Sequence, residues 1–220
     1  MMKLSYSEEN YLKAIYHLSE NRNQGVNTNA IADSLNTKAA SASDMIKKLA
    51  AKKLISYKKY YGVKVTDTGK KVALQIIRKH RLWEVFLVQK LNFNWDEVHE
   101  VAEELEHIKS PLLIQRLNEF LGDPKFDPHG DPIPDETGTI PSKPSIPLSQ
   151  LITGKSGIIT SVKDSDSSFL KYLDKMEMKI GSRIKVLDVI EFDNSMEILI
   201  DDKRKINVSN EVSGNLLMKI

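Results

Sequence analysis

The sequence predicts a mainly α protein with a small β part: an N-terminal winged helix-turn-helix, a helical middle domain and a C-terminal SH3-like β-barrel. Three observations predict it. Apolar residues recur at helical spacing through most of the first 121 residues. Seven of the eight prolines fall between Pro124 and Pro147. The last seventy residues carry short β-rich runs such as GIITSV, RIKVLDVIE and MEILID. The bounds expected are 1–72, 73–140, a Pro-rich linker at 141–150, and 151–220.

Composition narrows the class. A chain of 220 residues holds two to three small domains with real cores. It has no cysteine, so it offers neither disulfides nor thiolate ligands, which fits a reducing cytoplasm. The start, MMKLSYSEEN, lacks an apolar signal region, and no apolar run approaches the ~18 residues of a membrane span. A soluble, cytoplasmic protein without a membrane partner is expected.

Ser5 to Ser19 reads as an amphipathic helix with Tyr11, Leu12, Ile15 and Leu18 on its apolar face, and Ser5 and Glu8 are spaced as a capping box. Asn10 lies away from that stripe. Asn21 to Asn27 is a polar turn, and Thr28 to Leu35 is a short helix burying Ile31, Ala32 and Leu35. Asn36, Thr37 and Lys38 make a tight turn in which Asn takes the left-handed conformation. A helix from Ala39 to Lys52 follows, with Met45, Ile46 and Leu49 inside.

Two short helices on a three-residue turn suggest a helix-turn-helix. LISYKKYYGVKVT adds two strands on a Gly-containing turn, a wing. Charge supports the reading. Residues 38–81 hold thirteen Lys or Arg against Asp44 and Asp67, a net of +11, whereas the rest of the chain carries −9. A polyanion is the expected partner, and double-stranded DNA fits a winged helix. The residues expected at DNA are Thr28, Asn29, Lys38, Ala40, Ser41, Ser43, Asp44 and Lys47, with Lys58 and Lys59 at the wing tip.

Thr66 to Gly69 closes the wing. A long helix is predicted from Lys70 to Leu91, a second from Asn94 to Ser110, where Asn94 and Glu97 approximate a capping box, and a third from Pro111 to Leu121. These helices expose more apolar face than one winged helix covers, so a homodimer is expected, with two-fold symmetry matching a palindromic operator. The helical domain is therefore read as a dimerisation domain.

The first two of these helices also carry ligand-type side chains. His80 and Glu84 are four apart and share one helix face. In the next helix Val98, Val101, Ala102, Leu105 and Ile108 fall in one sector, and His99, Glu103, Glu106 and His107 in the adjacent one. Imidazole and carboxylate without thiol suit Mn(II) or Fe(II), although Zn(II), Co(II) and Ni(II) also bind such sets. Enzymatic patterns stay incomplete: His99, Glu100 and Glu103 make H-E-x-x-E without a second histidine, and Glu104 with His107 is a single E-x-x-H. A metalloenzyme is the second reading, and a winged-helix regulator answering a small organic effector the third.

Taken together, ENYLKAIYHL, the winged helix, RKHRLWE, VHEVAEELEHIKS and DPHGDPIP resemble the family of the diphtheria toxin repressor and the manganese transport regulator, in its long form with a C-terminal SH3-like domain. The resemblance implies a metal-activated homodimeric repressor of metal-uptake genes. It also implies one metal site of His80, Glu84 and His99 and another of Glu103, Glu106 and His107 completed by Asn10. Iron-type members carry Cys where Glu103 stands, so Mn(II) is expected first and Fe(II) second, with Zn(II), Co(II) or Ni(II) as non-physiological substitutes. Asn10 stands where the family offers Met or Asp, and in the C-terminal domain only Asp164 and Asp166 offer themselves as extra ligands.

Overall fold

A computed structural model of the chain describes residues 3–20, 24–58 and 61–220. Two compact units form. One runs to His80 and takes in Glu103–Pro111 and Pro134–Ile140; the other holds Arg81–Ala102, Leu112–Ile133 and Pro141–Ile220.

In the first unit, helix α1 (Tyr6–Ser19) starts at a reciprocal cap. Ser5 Oγ accepts the Glu8 N–H at 3.3 Å, and Glu8 Oε2 accepts the Ser5 N–H at 2.8 Å. Helix α2 (Thr28–Ser34) is capped by Asn27, whose Oδ1 accepts from Ala30 N at 2.7 Å. Asn36 then takes φ 46°, the left-handed turn expected of it, and helix α3 (Ala39–Ala51) follows. Leu12 and Ile15 of α1, Ile31 of α2, and Ala42, Ile46 and Leu49 of α3 share one core. Leu35 and Met45, expected inside it, pack at its edge. Each fully buried aliphatic side chain is worth about 1.5–3 kcal/mol, so this shared stripe holds three short helices that would be marginal alone.

The wing forms as strands β1 (Ile55–Lys58) and β2 (Gly62–Val65), antiparallel from Ile55↔Val65 to Lys58↔Gly62. Val26 bridges to Val63 with a 2.8 Å bond in each direction. That bridge dictates glycine at 62, where φ is +79° and an added Cβ would lie 2.6 Å from the Val26 carbonyl oxygen. Lys59, expected at the wing tip, lies outside the described residues.

Helix α4 (Asp67–Leu91) begins three residues before the expected Lys70, because Thr66 Oγ1 accepts the Gly69 N–H at 3.0 Å and caps it. Pro134–Ile140 lies against the first half of α4. Gln75 Nε2 donates to Glu136 O and an Arg78 guanidinium N–H to Pro134 O, each at 2.7 Å. The acceptors are backbone carbonyls, which proline retains, and the N–H groups of α4 are spent within the helix, so its side chains make the anchoring bonds.

Helix α5 (Val98–Leu105) is shorter than the expected Asn94–Ser110. At its front, Glu97 Oε2 accepts from Asn94 N at 3.1 Å in a turn that precedes the helix. At its back, Ile108 N donates to Leu105 O at 3.2 Å, and Glu106 and His107 lie in that turn. Helix α6 is Pro111–Phe120.

In the second unit, β3 (Ile146–Pro147), β4 (Ser156–Val162), β5 (Arg183–Val189), β6 (Met196–Ile200), β7 (Arg204–Val208) and β8 (Leu216–Lys219) form one antiparallel sheet in the order β3-β8-β4-β5-β6-β7. Helices α7 (Ser167–Lys175) and α8 (Asn210–Asn215) interrupt it. This corrects the expectation of an SH3-like β-barrel, since the sheet does not close. Among the described residues no ladder joins β3 to β7, and β3, two residues long and ending in a proline, has little to offer as a closing edge. The chain as a whole is mixed helix and sheet rather than mainly α. Ile159, Leu170, Ile184, Val186, Ile198 and Met218 lie in the core on this sheet. Among the described residues no helix is long and apolar enough to cross a membrane.

Gly62→Ala tests the wing geometry. Forcing a Cβ into the Val26 carbonyl at positive φ should destabilise the winged domain by about 1–3 kcal/mol. A lower urea midpoint at unchanged m-value is the expected result, and an unchanged midpoint would contradict it.

Candidate metal centre

In the first unit, α1 presents Glu9, Asn10 and Lys13, α4 presents His80, and α5 with its following turn presents Glu103, Glu106 and His107. Glu106 is fully buried. Its Oε2 accepts from His80 Nδ1 at 2.7 Å and from Lys13 Nζ at 2.8 Å, and Lys13 also donates to Glu103 Oε1 at 3.2 Å. Burial alone would raise the Glu106 carboxyl, but the His80 bond and the Lys13 ammonium outweigh it and hold it below its ordinary 4.5. His107 Nδ1 donates to Glu9 Oε2 at 2.6 Å, and the Tyr6 ring stacks on the imidazole with centroids 4.5 Å apart.

Two acceptor oxygens in this group, Asn10 Oδ1 and Glu106 Oε1, are buried without a hydrogen-bond partner. A buried orphan acceptor is costly, and both oxygens are of the type that coordinates a hard or borderline cation. The donor set therefore fits a divalent metal. As it stands, Glu103, Glu106 and His107 do not bring three donor atoms within 4.8 Å of one another among the described residues. Lys13 stands between the two carboxylates, and Glu9 holds His107.

In the second unit, Glu84 of α4 is buried, and His99 Nδ1 faces its Oε1 at 3.5 Å from an imidazole that is half exposed. His80 precedes Glu84 by one turn of the same helix. The loop Asp127–Asp131 is also here. Asp127 Oδ1 accepts from His129 N and Asp131 N, both at 2.9 Å, and Arg81 Nε lies 3.4 Å from Asp127 Oδ2. Burial pushes the Asp127 carboxyl well above its ordinary 3.8, helped by the charges of Glu84 and Asp131 and only partly offset by Arg81. His129 Nε2 donates to Trp95 O at 2.7 Å. Asp164 and Asp166, the extra ligands suggested from sequence, are engaged locally: Asp164 accepts from Asp166 N at 2.9 Å, and Asp166 caps α7 through Ser168 N at 2.8 Å.

Sequence reasoning passed over Glu9, Lys13, Asp127 and, as a site residue, His129. Glu9 looked like an ordinary first-turn acid, and nothing in the sequence shows that Lys13 reaches residues ninety positions away. The signal for the loop was in DPHGDPIP, which carries one of four histidines between positions 80 and 129.

Of the residues expected at DNA, the described ones stand on α2, on α3 and its N-cap, and on β1 of the wing. Asn29, Lys38, Ala40, Ser41, Asp44, Lys47 and Lys58 are exposed, and Thr28 and Ser43 partly so. Lys38 occupies the N-cap position of α3 without a side-chain capping bond. Lys47 pairs with Asp44 at 3.1 Å on the surface, and Ser43 Oγ donates back to Ala39 O at 2.8 Å.

Comparison with known proteins connects both halves. Residues 3–63 match the iron dependent repressor N-terminal DNA binding domain, residues 66–135 the iron dependent repressor metal binding and dimerisation domain, and residues 146–219 the FeoA domain. A solved structure of a manganese-dependent transcriptional repressor in complex with manganese is 35% identical, with a TM-score of 0.86 over 96% of this chain and 98% of that one. The diphtheria toxin repressor of Corynebacterium diphtheriae is 28% identical over 202 residues, 86% of this chain and 87% of its own length. A probable metal transport system membrane protein of Chlamydia trachomatis serovar D is 47% identical over 73 residues, which are 33% of this chain but only 16% of that protein.

The Lys13 contacts are testable without DNA. Replacing one partner of a buried ion pair leaves the other uncompensated, so Lys13→Met should destabilise the chelator-treated protein by about 3 kcal/mol. Mn(II) should raise its unfolding midpoint by more than it raises that of the wild type. Equal midpoints for the two metal-free proteins would show that Lys13 does not compensate Glu106.

Proposed function

Since the chain belongs to the iron dependent repressor family, that of the diphtheria toxin repressor, we propose that it is a Mn(II)-activated, homodimeric repressor of metal-uptake genes, with Fe(II) as second metal. It acts on palindromic operators in the cytoplasm. The family is one of DNA-binding repressors rather than enzymes, so the Glu/His cluster is read as a sensor.

One observation carries the proposal: α1, which shares its core with the exposed α2–α3 face, reaches the Glu103–His107 segment through Glu9 and Lys13. Asn10, Glu103, Glu106 and His107 would hold one metal, whose positive charge draws these acceptors together. Glu9 acts as a positioning residue, fixing the His107 ring through Nδ1–H so that Nε2 is the coordinating nitrogen. Lys13 supplies positive charge to Glu103 and Glu106 and would be displaced by a cation held on those carboxylates. His80, Glu84 and His99 would hold a second metal, supported by the one-turn spacing on α4 and the 3.5 Å approach of His99 to Glu84.

Tying α1 to this segment fixes how α2 and α3 are presented to the major groove. Moving such an equilibrium from 1:99 to 99:1 takes about 5.5 kcal/mol of differential metal affinity. The homodimer is supported by exposed apolar side chains on α4 and α6, Leu91, Leu112, Leu113 and Phe120.

His107→Ala should abolish Mn(II)-dependent binding to a fluorescent operator fragment from the protein's own upstream region while leaving the fold intact by circular dichroism. Retained metal dependence would remove His107 from the switch. If chelator leaves wild-type binding unchanged, the effector is organic rather than metal. Lys58→Ala should weaken binding to all sequences and reduce the salt slope by about one, as expected for a lost phosphate contact. An unchanged slope places Lys58 outside the interface.

A further inference from the structure

The C-terminal sheet turns one face into its core, through Ile159, Ile184 and Ile198 among others. Side chains alternate along a strand, so their neighbours stand on the opposite face. The ladders set those neighbours in two adjoining rows. Ile158 of β4 pairs with Lys219 of β8 on one side and with Arg183 of β5 on the other. In the next row Lys185 of β5 lies between Ser156 of β4 and Leu199 of β6, and Leu199 stands opposite Lys205 of β7. All four cations are exposed, Ile158 is 46% exposed, and Leu199 is partly so.

Acids stand only at the margin of these rows. Arg183 pairs with Asp202 at 3.3 Å and Lys205 with Glu197 at 2.8 Å, and Glu197 is opposite Asp188 in the row beyond. Among the described residues neither Lys185 nor Lys219 has an acidic partner. Lys219 instead acts on another cation. Lys143, whose ammonium lies 4.3 Å from the Phe126 ring centroid and donates to Thr160 O at 3.1 Å, is held below its ordinary 10.5 by burial and then by the Lys219 charge. Like charges gathered on one sheet face are unfavourable. A polyanion laid on the face relieves them.

The aliphatic positions decide which polyanion. Phosphates set against Ile158 and Leu199 would lose water for no gain, and no aromatic side chain in these rows offers a base a stacking surface. A broad anionic bilayer would also meet Asp188 and Glu197. Cationic and aliphatic side chains alternating across strands about 5 Å apart match a helix that carries carboxylates and apolar residues at i, i+3 and i+4, roughly 5–6 Å apart. Helix on sheet is a common layer pairing.

We propose that this outer face, with Lys219, Ile158 and Arg183 in one row and Lys185, Leu199 and Lys205 in the next, docks an acidic amphipathic helix of a partner protein. The carboxylates meet the cations, and the apolar residues cover Ile158 and Leu199. The patch is small, which suits a weak, transient complex. The inference requires neither metal nor operator, so it stands apart from the repressor reading.

The test uses full-length protein in chelator and a fluorescein-labelled model helix with Glu and Leu alternating along one face and Ala and Gln elsewhere. Saturable anisotropy binding is expected, weakened about tenfold or more in Lys185→Glu/Lys219→Glu, because like charges then face each other across the interface. Lys185→Gln/Lys219→Gln, which removes charge without reversing it, should show a smaller loss, and Ile158→Ser should weaken binding as well. Lys47→Ala/Lys58→Ala should bind the helix as the wild type does. Phosphatidylserine vesicles and a random DNA duplex are run in parallel. The proposal is overturned if the helix does not bind, if binding ignores Ile158→Ser, if the loss follows Lys47 and Lys58 instead, or if the Lys185/Lys219 variants are defective only toward vesicles or duplex.

Discussion

Glu106 is a carboxylate with no exposed surface, and much of the first unit is arranged around that fact. Removing such a charge from water costs several kcal/mol even after relaxation, and only close donors repay it. Lys13 from α1 and His80 from α4 are those donors, at 2.8 and 2.7 Å. Three segments far apart in sequence must therefore converge, and α5 must stop at Leu105 so that the next two residues can reach their partners. A helix continued to Ser110 would keep Glu106 and His107 in the regular face that periodicity predicts. Tertiary ion pairing overrides helix propensity here, as it usually can, because propensity differences amount to tenths of a kcal/mol per residue.

The same solution to imidazole placement occurs in both units. His107 is fixed through Nδ1 by a carboxylate, His129 through Nε2 by a carbonyl. In each ring one nitrogen is committed to an acceptor, which sets the tautomer and aims the other nitrogen. Both of these rings are buried, whereas the His99 imidazole is half exposed.

Much of the fold was legible from local chemistry. Ser5 with Glu8 and the left-handed Asn36 are decided by residues within a few positions of each other, so a single sequence displays them. The apolar stripes of α1 to α4 were legible for the same reason. Closure of the C-terminal sheet was not, because it depends on whether the two-residue edge at Ile146–Pro147 meets β7, a question of long-range geometry. The candidate site was half legible. Helical spacing picked out His80, Glu84, His99, Glu103, Glu106 and His107, while Glu9 and Lys13 gain their meaning only from segments ninety or more residues away. Asp127 and His129 sat in a recognisable motif, but periodicity has nothing to say about a loop held together by side-chain acceptors.

An internal cation changes what metal sensing requires. On the proposed reading the acidic cluster is not an open, mutually repelling set in the metal-free protein, since Lys13 already bonds Glu103 and Glu106. Bound metal gains the carboxylates but loses that ion pair, so the quantity that drives the switch is a difference between two compensated states. Asn10 sharpens the point, because a neutral amide oxygen contributes less than a carboxylate toward a cation. With no thiol in the chain, soft-ion affinity cannot make up the deficit. On that reading a metal held by Asn10, Glu103, Glu106 and His107 would be bound weakly and displaceably. The response of the site is set by how far metal outcompetes an ammonium group on α1, the same helix whose packing holds the reading face.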